Sequence, residues 1–475
     1  MSRRRGLVRV VFALVFLAGV LYVIPPDGDL PWQRWLGQTI LMTHHLPRAL
    51  GSETFTAVGA PWLPQEWLFG VAAAFLTARL GYAWFAVLVA ACAFTALLLV
   101  ELRCARRGAA GMALMLCGGL AAISLLESFG VRAQVVAWPL FAALLVLLDE
   151  EGWRLWLVLP LTILWSNVHA SVVIVPCLVL LDAAGRWLET RAFSPALVRR
   201  IWLAAAAAAA TLVNPFGWRL DAYAIALFHS PVIWTIREWR PATLDDLAFV
   251  GGAIPLALLT FLGLRARLLT LRELPPALVF AMLAFAHVRN VPLAGMLLAA
   301  PATAWLMQRW PAGPQARALE SRGAIFSRIA AAAGALVVAA VLLHARHVTP
   351  ERIAPRTMLA YLERQRTPAP QRVFCEDFSW CSAAIGWPNL RVFVDSRCDP
   401  YPVPVWNDYR AIAGVRPRWH ALLETWRVDA VIARRDGRLA RALSRKRDWR
   451  LVRRDERYAL YESRALRRAV AAAGA

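Results

Sequence analysis

Long apolar runs recur along the whole chain, and their length fixes the solvent in which it can fold. Residues 7–24, 82–100, 155–164 with its flanks, and 329–343 approach the ~20 residues a helix needs to cross a ~30 Å hydrocarbon layer. With 475 residues, 59% of them hydrophobic, and a mean hydropathy of +0.50, the chain carries more apolar surface than a soluble core can bury. The expected class is an all-α polytopic membrane protein.

The cations set the expected topology. The net charge of +22 is carried by arginine with the single exception of Lys446. The arginines fall between apolar spans rather than along one groove face, which argues against nucleic acid as a partner. Residues 1–5 are basic, and the apolar run after them ends at Pro25-Pro26 without a small-residue cleavage site, so an uncleaved first helix is expected. Residues 66–78 open with Glu66-Trp67 and are read as a helix lying in the membrane interface. The inner loops then become 103–107, 149–154, 186–200, 265–272 and 309–328, all but the second rich in arginine, as the positive-inside rule requires. Counting 66–78 as a span would instead expel Arg103, Arg106 and Arg107. The count is therefore about eleven transmembrane helices, with the amino terminus cytoplasmic.

Two domains are expected: a transmembrane part, 1–346, that includes an outer loop 25–65 and the interfacial helix 66–78, and a small soluble α/β domain, 347–475, on the far side. In the tail, β-rich runs at 372–375, 391–395, 430–434 and 458–461 alternate with helical stretches at 355–364, 405–413, 418–426 and 439–445. Cys92, Cys104, Cys117 and Cys177 lie in or beside apolar runs and act there as small hydrophobes. Cys375, Cys381 and Cys398 lie in the tail; outside the cytoplasm two of them can pair, and the spacing does not say which.

The polar residues that look least like filler gather in the outer segments. Asp27-Gly28-Asp29 follows the first helix and offers a carboxylate that can take a proton from a hydroxyl or bind a cation, against the ordinary reading of a solvated acidic turn. Trp62 and Trp67 read as headgroup anchors, and the adjacent His44-His45 pair points its rings apart, which disfavours metal. Arg132 with Gln134, Asn167 with His169, Glu238 and Arg289 sit at outer helix ends, where ionisable groups are costly and tend to be functional. Snorkelling to lipid and interhelical hydrogen bonds are the structural alternatives. In the tail, Asp395, Arg397, Asp399 and Tyr401 follow an apolar strand, at the edge where open α/β sheets hold ligands, although an Asp395–Arg397 pair that fixes a turn explains them equally well.

The order of these features resembles that of the GT-C membrane glycosyltransferases, which use polyprenyl-phosphate-linked sugars, and is similar to a group of bacterial membrane proteins. The residues that carry the likeness are Asp27 to Trp32, Pro61 to Leu68, Trp165 to His169, and Asp395 to Tyr401. The resemblance implies that Asp27 or Asp29 is the general base, that Arg132 and Arg289 hold the departing lipid phosphate, and that Asn167 and His169 orient the sugar or phosphate. It places the chain in a bacterial inner membrane with the tail in the periplasm. Since Gly28 separates the two acids, no metal or other cofactor is assigned. The leading expectation is inverting transfer of a sugar from a polyprenyl-phosphate donor to a lipid, glycan or protein acceptor. A transporter or flippase of lipid-linked intermediates, and a non-catalytic membrane scaffold, are the alternatives.

Overall fold

A computed structural model describes residues 27–227, 229–230, 236–311 and 354–468, so the expected spans at 7–24 and 329–343 lie outside the described residues. The described chain forms two compact units. One is built from Ala83–His347 and the other from Pro25–Tyr82 together with Val348–Ala475.

In the second unit, α1 (Leu30–Thr43) and α2 (Trp67–Leu80) pack against each other. Pro31 in the first turn of α1 supplies a helical φ where no N–H is needed, and His44, in the left-handed region at φ 56°, ends the helix by donating its N–H to the Ile40 carbonyl. The two helices cross where Gly37 meets Gly70: a Cβ on Gly37 would lie 2.0 Å from the Gly70 carbonyl oxygen. The 25–65 segment expected as a loop thus contains a 14-residue helix, and the expected interfacial helix is its packing partner.

Among the described residues, Tyr82–Arg106, Gly111–Ser128, Ala170–Thr190 and Val288–Arg309 are long and apolar enough to cross a membrane, with shorter apolar helices at Trp67–Leu80, Ala133–Leu148 and Phe249–Arg265. The first unit comprises α3 (Tyr82–Arg106), α4 (Gly111–Leu125), α5 (Ala133–Leu148), α6 (Val158–Val168), α7 (Ile174–Thr190), α8 (Pro195–Thr211), α9 (Trp218–Leu227), α10 (Ile254–Arg265), α11 (Leu274–Ala286) and α12 (Val291–Arg309). Its centre is α12, buried from Val291 to Thr303. Small residues let the neighbours close on it, as helices in lipid require: a Cβ on Gly295 of α12 would lie 2.3 Å from the Ser124 Cβ of α4, and one on Gly252 would lie 2.3 Å from the Ser124 hydroxyl.

One end of this unit is tied by ion pairs among the arginine-rich loops. Arg103 donates to Asp149 (2.9 Å), Arg107 to Asp149 (2.8 Å) and to Glu273 (2.7 Å), and Arg272 to Asp182 (2.7 Å). Arg186 joins Asp182 at 3.0 Å, and Arg200 donates to the Glu150 carbonyl at 2.8 Å. The loop at 149–154, poorest in arginine, supplies carboxylates that balance the others. Of the segments expected on the outer side, those of this unit at 127–134, 167–171 and 287–290 lie at the opposite helix ends.

The tail forms α13 (Arg356–Glu363), β1 (Gln371–Cys375), α14 (Phe378–Cys381), β2 (Leu390–Val392), α15 (Val403–Ala413), α16 (Trp419–Thr425), β3 (Ala430–Arg434), α17 (Arg438–Ser444), β4 (Trp449–Arg454) and β5 (Tyr458–Ser463). The sheet order is β2-β1-β3-β5-β4, with β1 parallel to β2 and β3, and β5 antiparallel to β3 and β4. Met358, Leu359 and Leu362 pack with Val373, Val392, Ile432 and Leu460 as the core beneath it. Cys375 and Cys381 form a disulfide, and Cys398 is a buried thiol.

The 25–82 segment belongs to this domain rather than to the spans, which differs from the expected division. Val392 donates its N–H to the Glu53 carbonyl (2.9 Å), Phe55 donates to the Val392 carbonyl (3.3 Å), and Thr54 makes a parallel bridge to Val392. The segment therefore covers the β2 edge, whose unpaired backbone groups would otherwise be open to another strand.

Candidate functional site

The unit built on Ala83–His347 brings four of the expected residues together where its helices end opposite the ion-paired loops. Arg132 is the residue before α5, His169 ends α6, Arg289 lies between α11 and α12, and Glu238 lies in a short turn over 237–239. Arg132 forms an ion pair with Glu238, their side chains remaining 23% and 28% exposed. The Arg289 guanidinium lies over the Trp239 ring, 4.3 Å from its centroid, a cation–π contact that holds the charge in place. Gln134 donates to the Arg289 carbonyl at 3.2 Å. The turn is tied to the α11 end because Val288 donates to the Arg240 carbonyl (3.1 Å), Ala242 donates to the Phe285 carbonyl (3.0 Å), and the His287 Nδ1 meets the Trp239 carbonyl at 2.5 Å.

The charges act on one another. Burial by itself would raise the Glu238 carboxyl, but Arg132 and Arg289 outweigh it and hold the group below the usual carboxylate range. His169 is buried, and burial, reinforced by Arg289, lowers its imidazole to about 3, so the ring is neutral at physiological pH. Its tautomer is read from its neighbours. The Ser171 backbone N–H, which can only donate, points to the His169 Nδ1 at 3.1 Å. The Trp165 indole N–H, which can only donate, points to the Ser171 hydroxyl oxygen at 3.0 Å, and that hydroxyl lies 2.8 Å from the same Nδ1. Nδ1 is thus an acceptor, and the ring proton sits on Nε2.

Asn167 has a different part. Its amide donates to the Ile163 and Val213 carbonyls, both at 2.8 Å, which ties the end of α6 to the end of α8 by the interhelical bonding noted among the alternatives.

In the other unit, the acidic loop is held firmly. Asp27 is buried and accepts the Asp29 N–H at 3.0 Å, while Asp29, at the start of α1, accepts the Trp32 indole N–H at 3.3 Å. Gly28 between them accepts the Ser396 hydroxyl at 3.1 Å, and a Cβ there would come within 2.8 Å of the Ser379 Cβ. The glycine separates the acids because the tail presses against this point.

Asp395, Arg397 and Tyr401 form a closed centre. Arg397 donates through Nε (2.9 Å) and Nη2 (2.6 Å) to the two Asp395 oxygens and through Nη1 to Glu53 (2.8 Å); Tyr401 donates to Asp395 at 2.5 Å. The guanidinium lies 4.8 Å from the Trp62 centroid and 5.7 Å from that of Trp35. Burial would lower Arg397, but Asp395 and Glu53 keep it charged well above the ordinary range; burial pushes the Tyr401 hydroxyl well up. Asp399 lies beside this centre and makes none of these four bonds. Trp62, expected as a headgroup anchor, is buried against Trp32, Trp35 and Arg397. Residue spacing gave no sign of Glu53 as the partner 344 positions from Arg397, nor of Ser171, Trp239 and His287 as supports of the mouth.

For a metal, the described residues offer one group of three, His420, Glu424 and Asp448, with ligand atoms within 4.8 Å of one another. His420 Nε2 meets Asp448 at 3.0 Å, whereas its Nδ1 meets Glu424 at 3.7 Å. The two carboxylates address different ring nitrogens of His420.

By sequence, no protein-family model and no curated protein matches the chain. By structure, it is similar to ArnT from Cupriavidus metallidurans in the apo state, at 14% identity and a TM-score of 0.54, over 97% of this chain and 98% of that one. It is also similar to the archaeal oligosaccharyltransferase AglB from Archaeoglobus fulgidus, solved with an inhibitory peptide and a dolichol-phosphate, at 12% identity and a TM-score of 0.55, over 91% of this chain and 70% of that one. These are GT-C glycosyltransferases, and the chain, a membrane protein by its apolar helices, has their fold.

Proposed function

We propose that the chain is a membrane glycosyltransferase that moves a sugar from a polyprenyl-phosphate donor to a lipid, glycan or protein acceptor. The observation that carries this reading is the gathering of Arg132, Glu238, Arg289 and a neutral His169 N–H donor at one set of helix ends. Guanidinium groups match phosphate oxygens in geometry and offset the charge that builds on a leaving phosphate. AglB, of the same fold, was solved with a dolichol-phosphate, a ligand of this chemical class.

In the proposed step an acceptor hydroxyl oxygen attacks the anomeric carbon while the bond from that carbon to the phosphate oxygen breaks. The electron pair leaves with the polyprenyl phosphate, and the hydroxyl proton passes to Asp27 or Asp29. Attack opposite the leaving group inverts the anomeric centre. Arg132 and Arg289 receive the phosphate, Glu238 keeps Arg132 in place, and Gln134 fixes the backbone at Arg289.

The chain is further proposed to cross a bacterial inner membrane about eleven times, with the arginine-rich loops cytoplasmic and the tail periplasmic. Ion pairing of those loops at one end of the helices supports that side assignment, and the Cys375–Cys381 disulfide suits an oxidising compartment.

The test is turnover of polyprenyl-phosphate sugars by the purified chain in lipid nanodiscs, with Asp27→Asn, Asp29→Asn and Arg289→Ala beside it. Sugar transfer that one of the asparagine variants and Arg289→Ala abolish supports the reading. Movement of a labelled lipid-linked sugar between leaflets without transfer would replace it with a flippase. Neither activity, with a partner protein captured by the tail, would replace it with a scaffold.

A further inference from the structure

The geometry points to His169 as a fixed neutral hydrogen-bond donor, with the Ser171 backbone as the group that sets its tautomer. This rests on the proposed transfer for its substrate, an anionic phosphate, but not for its structural content. The Ser171 backbone N–H, which can only donate, fixes the His169 Nδ1 as an acceptor, and the Ser171 hydroxyl, 2.8 Å from the same nitrogen, accepts the Trp165 indole N–H. Moving the proton to Nδ1 would set two N–H groups head to head at 3.1 Å. Protonating the ring would do the same and add a buried charge beside Arg132 and Arg289, cations that act on it, with Glu238 an acid that opposes them.

Of the two ring nitrogens, Nε2 therefore carries the only proton, and it is a poor one to give away. An imidazolium donates a proton at little cost; a neutral imidazole N–H does not. At the mouth, His169 then lends a hydrogen bond to a phosphate oxygen, and the leaving phosphate departs as the unprotonated anion, its charge met by the arginines. Ser171 is a positioning residue: it touches the histidine and acts through it. Asn167, two residues before His169 in the sequence, is bound to carbonyls of α6 and of the α8 end, which places the helix end that carries the ring.

Two substitutions separate a donor from an acid. Glutamine sets an amide N–H where Nε2 lies and cannot titrate; asparagine reaches only to the Nδ1 position. His169→Gln is expected to keep a tenth or more of turnover, and His169→Asn to fall by about a hundredfold, the size of losing one donor to a developing anion. Ser171→Ala, which removes the hydroxyl but keeps the backbone N–H, is expected to lower kcat only about threefold. Ring-nitrogen NMR of selectively labelled histidine in the full chain gives an independent readout: the wild type and Ser171→Ala, which keeps the backbone N–H, both show Nε2–H alone at neutral pH.

His169→Gln as inactive as His169→Asn, or a wild-type rate that follows an imidazole titration, overturns the assignment, as does an Nδ1–H or imidazolium signature at neutral pH. A wild type with no turnover but an Nε2–H signature instead removes the transferase reading and leaves the tautomer lock standing.

Discussion

Arg397 and Arg289 of the helix mouth are both set beside indole rings, yet the two places are built in opposite ways. Arg397 has no exposed side-chain surface and is met by Asp395 and Glu53, themselves 0% and 8% exposed, with Trp62 and Trp35 on its faces. Arg132 and Glu238 keep about a quarter of their side-chain surface open, and Arg289 is half-buried over Trp239. A closed ion centre has no room for a ligand and fixes the course of the chain; an open one can exchange its contacts for those of an incoming anion. The difference teaches that residue type and motif order do not separate architecture from chemistry in this molecule, whereas exposure does.

The comparison breaks most sharply at Arg397. Replacing it with alanine leaves Asp395 and Glu53 buried without a cation, a change that costs about 3–5 kcal/mol. Arg397→Ala is expected to abolish recovery of folded protein or to lower its melting midpoint severely, and Arg397→Lys is expected to rescue little, since an ammonium cannot reach both Asp395 oxygens and Glu53 in one plane. A melt close to wild type would show that the centre is not a support. Arg289→Ala and Arg132→Ala are expected to behave in the reverse way: turnover falls about 10²–10³-fold while the melt stays near that of the wild type. Parallel losses of stability and turnover at both places would erase the distinction.

Much of the fold was legible because its signals are local. The strands at 430–434 and 458–461 and the tail helices fall within a residue or two of their expected limits, apart from the β2 run, which is shorter than its sequence suggested. β4, Trp449–Arg454, escaped notice because it is an edge strand with arginines at three of its six positions, and charge hid the β pattern. The helix at Leu30–Thr43 was concealed for another reason: Trp32, Trp35 and Gly37 look like loop or interface residues until the Gly37–Gly70 crossing and the stack on Trp62 give them partners. The mouth was legible in its ionisable members, since Arg132, His169, Glu238 and Arg289 stand out at helix ends. Their supports did not stand out, because Ser171 and Trp239 are ordinary residues whose roles arise only when distant segments meet.

The Cys375–Cys381 disulfide sharpens the comparison at a lower energy. It closes a loop of sequence separation 6, for which chain-entropy reasoning gives a little over ~2 kcal/mol. A Cys375→Ser/Cys381→Ser variant is expected to lose about that much stability in the sheet and the Arg397 centre beside it, while binding of a polyprenyl phosphate to the mouth is retained. An unchanged melt under reducing conditions, with the bond shown by mass spectrometry to be cleaved, would count against a supporting role for it.

His169 supplies the smallest effect and the one that reads the mouth directly. Its imidazole titrates near 6.5 in an unfolded chain and at about 3 when buried beside Arg289. Between those values the unfolded state binds a proton that the folded state refuses, so stability rises with pH in that window. The neutral ring imposes no penalty above 6.5; the penalty grows as the pH falls, reaches about 2 kcal/mol near pH 5 and levels off below about 3. Melting the wild type and His169→Gln across pH 7.5 to 5 isolates this contribution, because glutamine does not titrate and the other groups are common to both proteins. The difference between the two melts is expected to move in favour of the glutamine variant as the pH drops. Parallel curves would mean that the ring takes up its proton in the folded state, and the mouth would then hold an imidazolium beside its arginines.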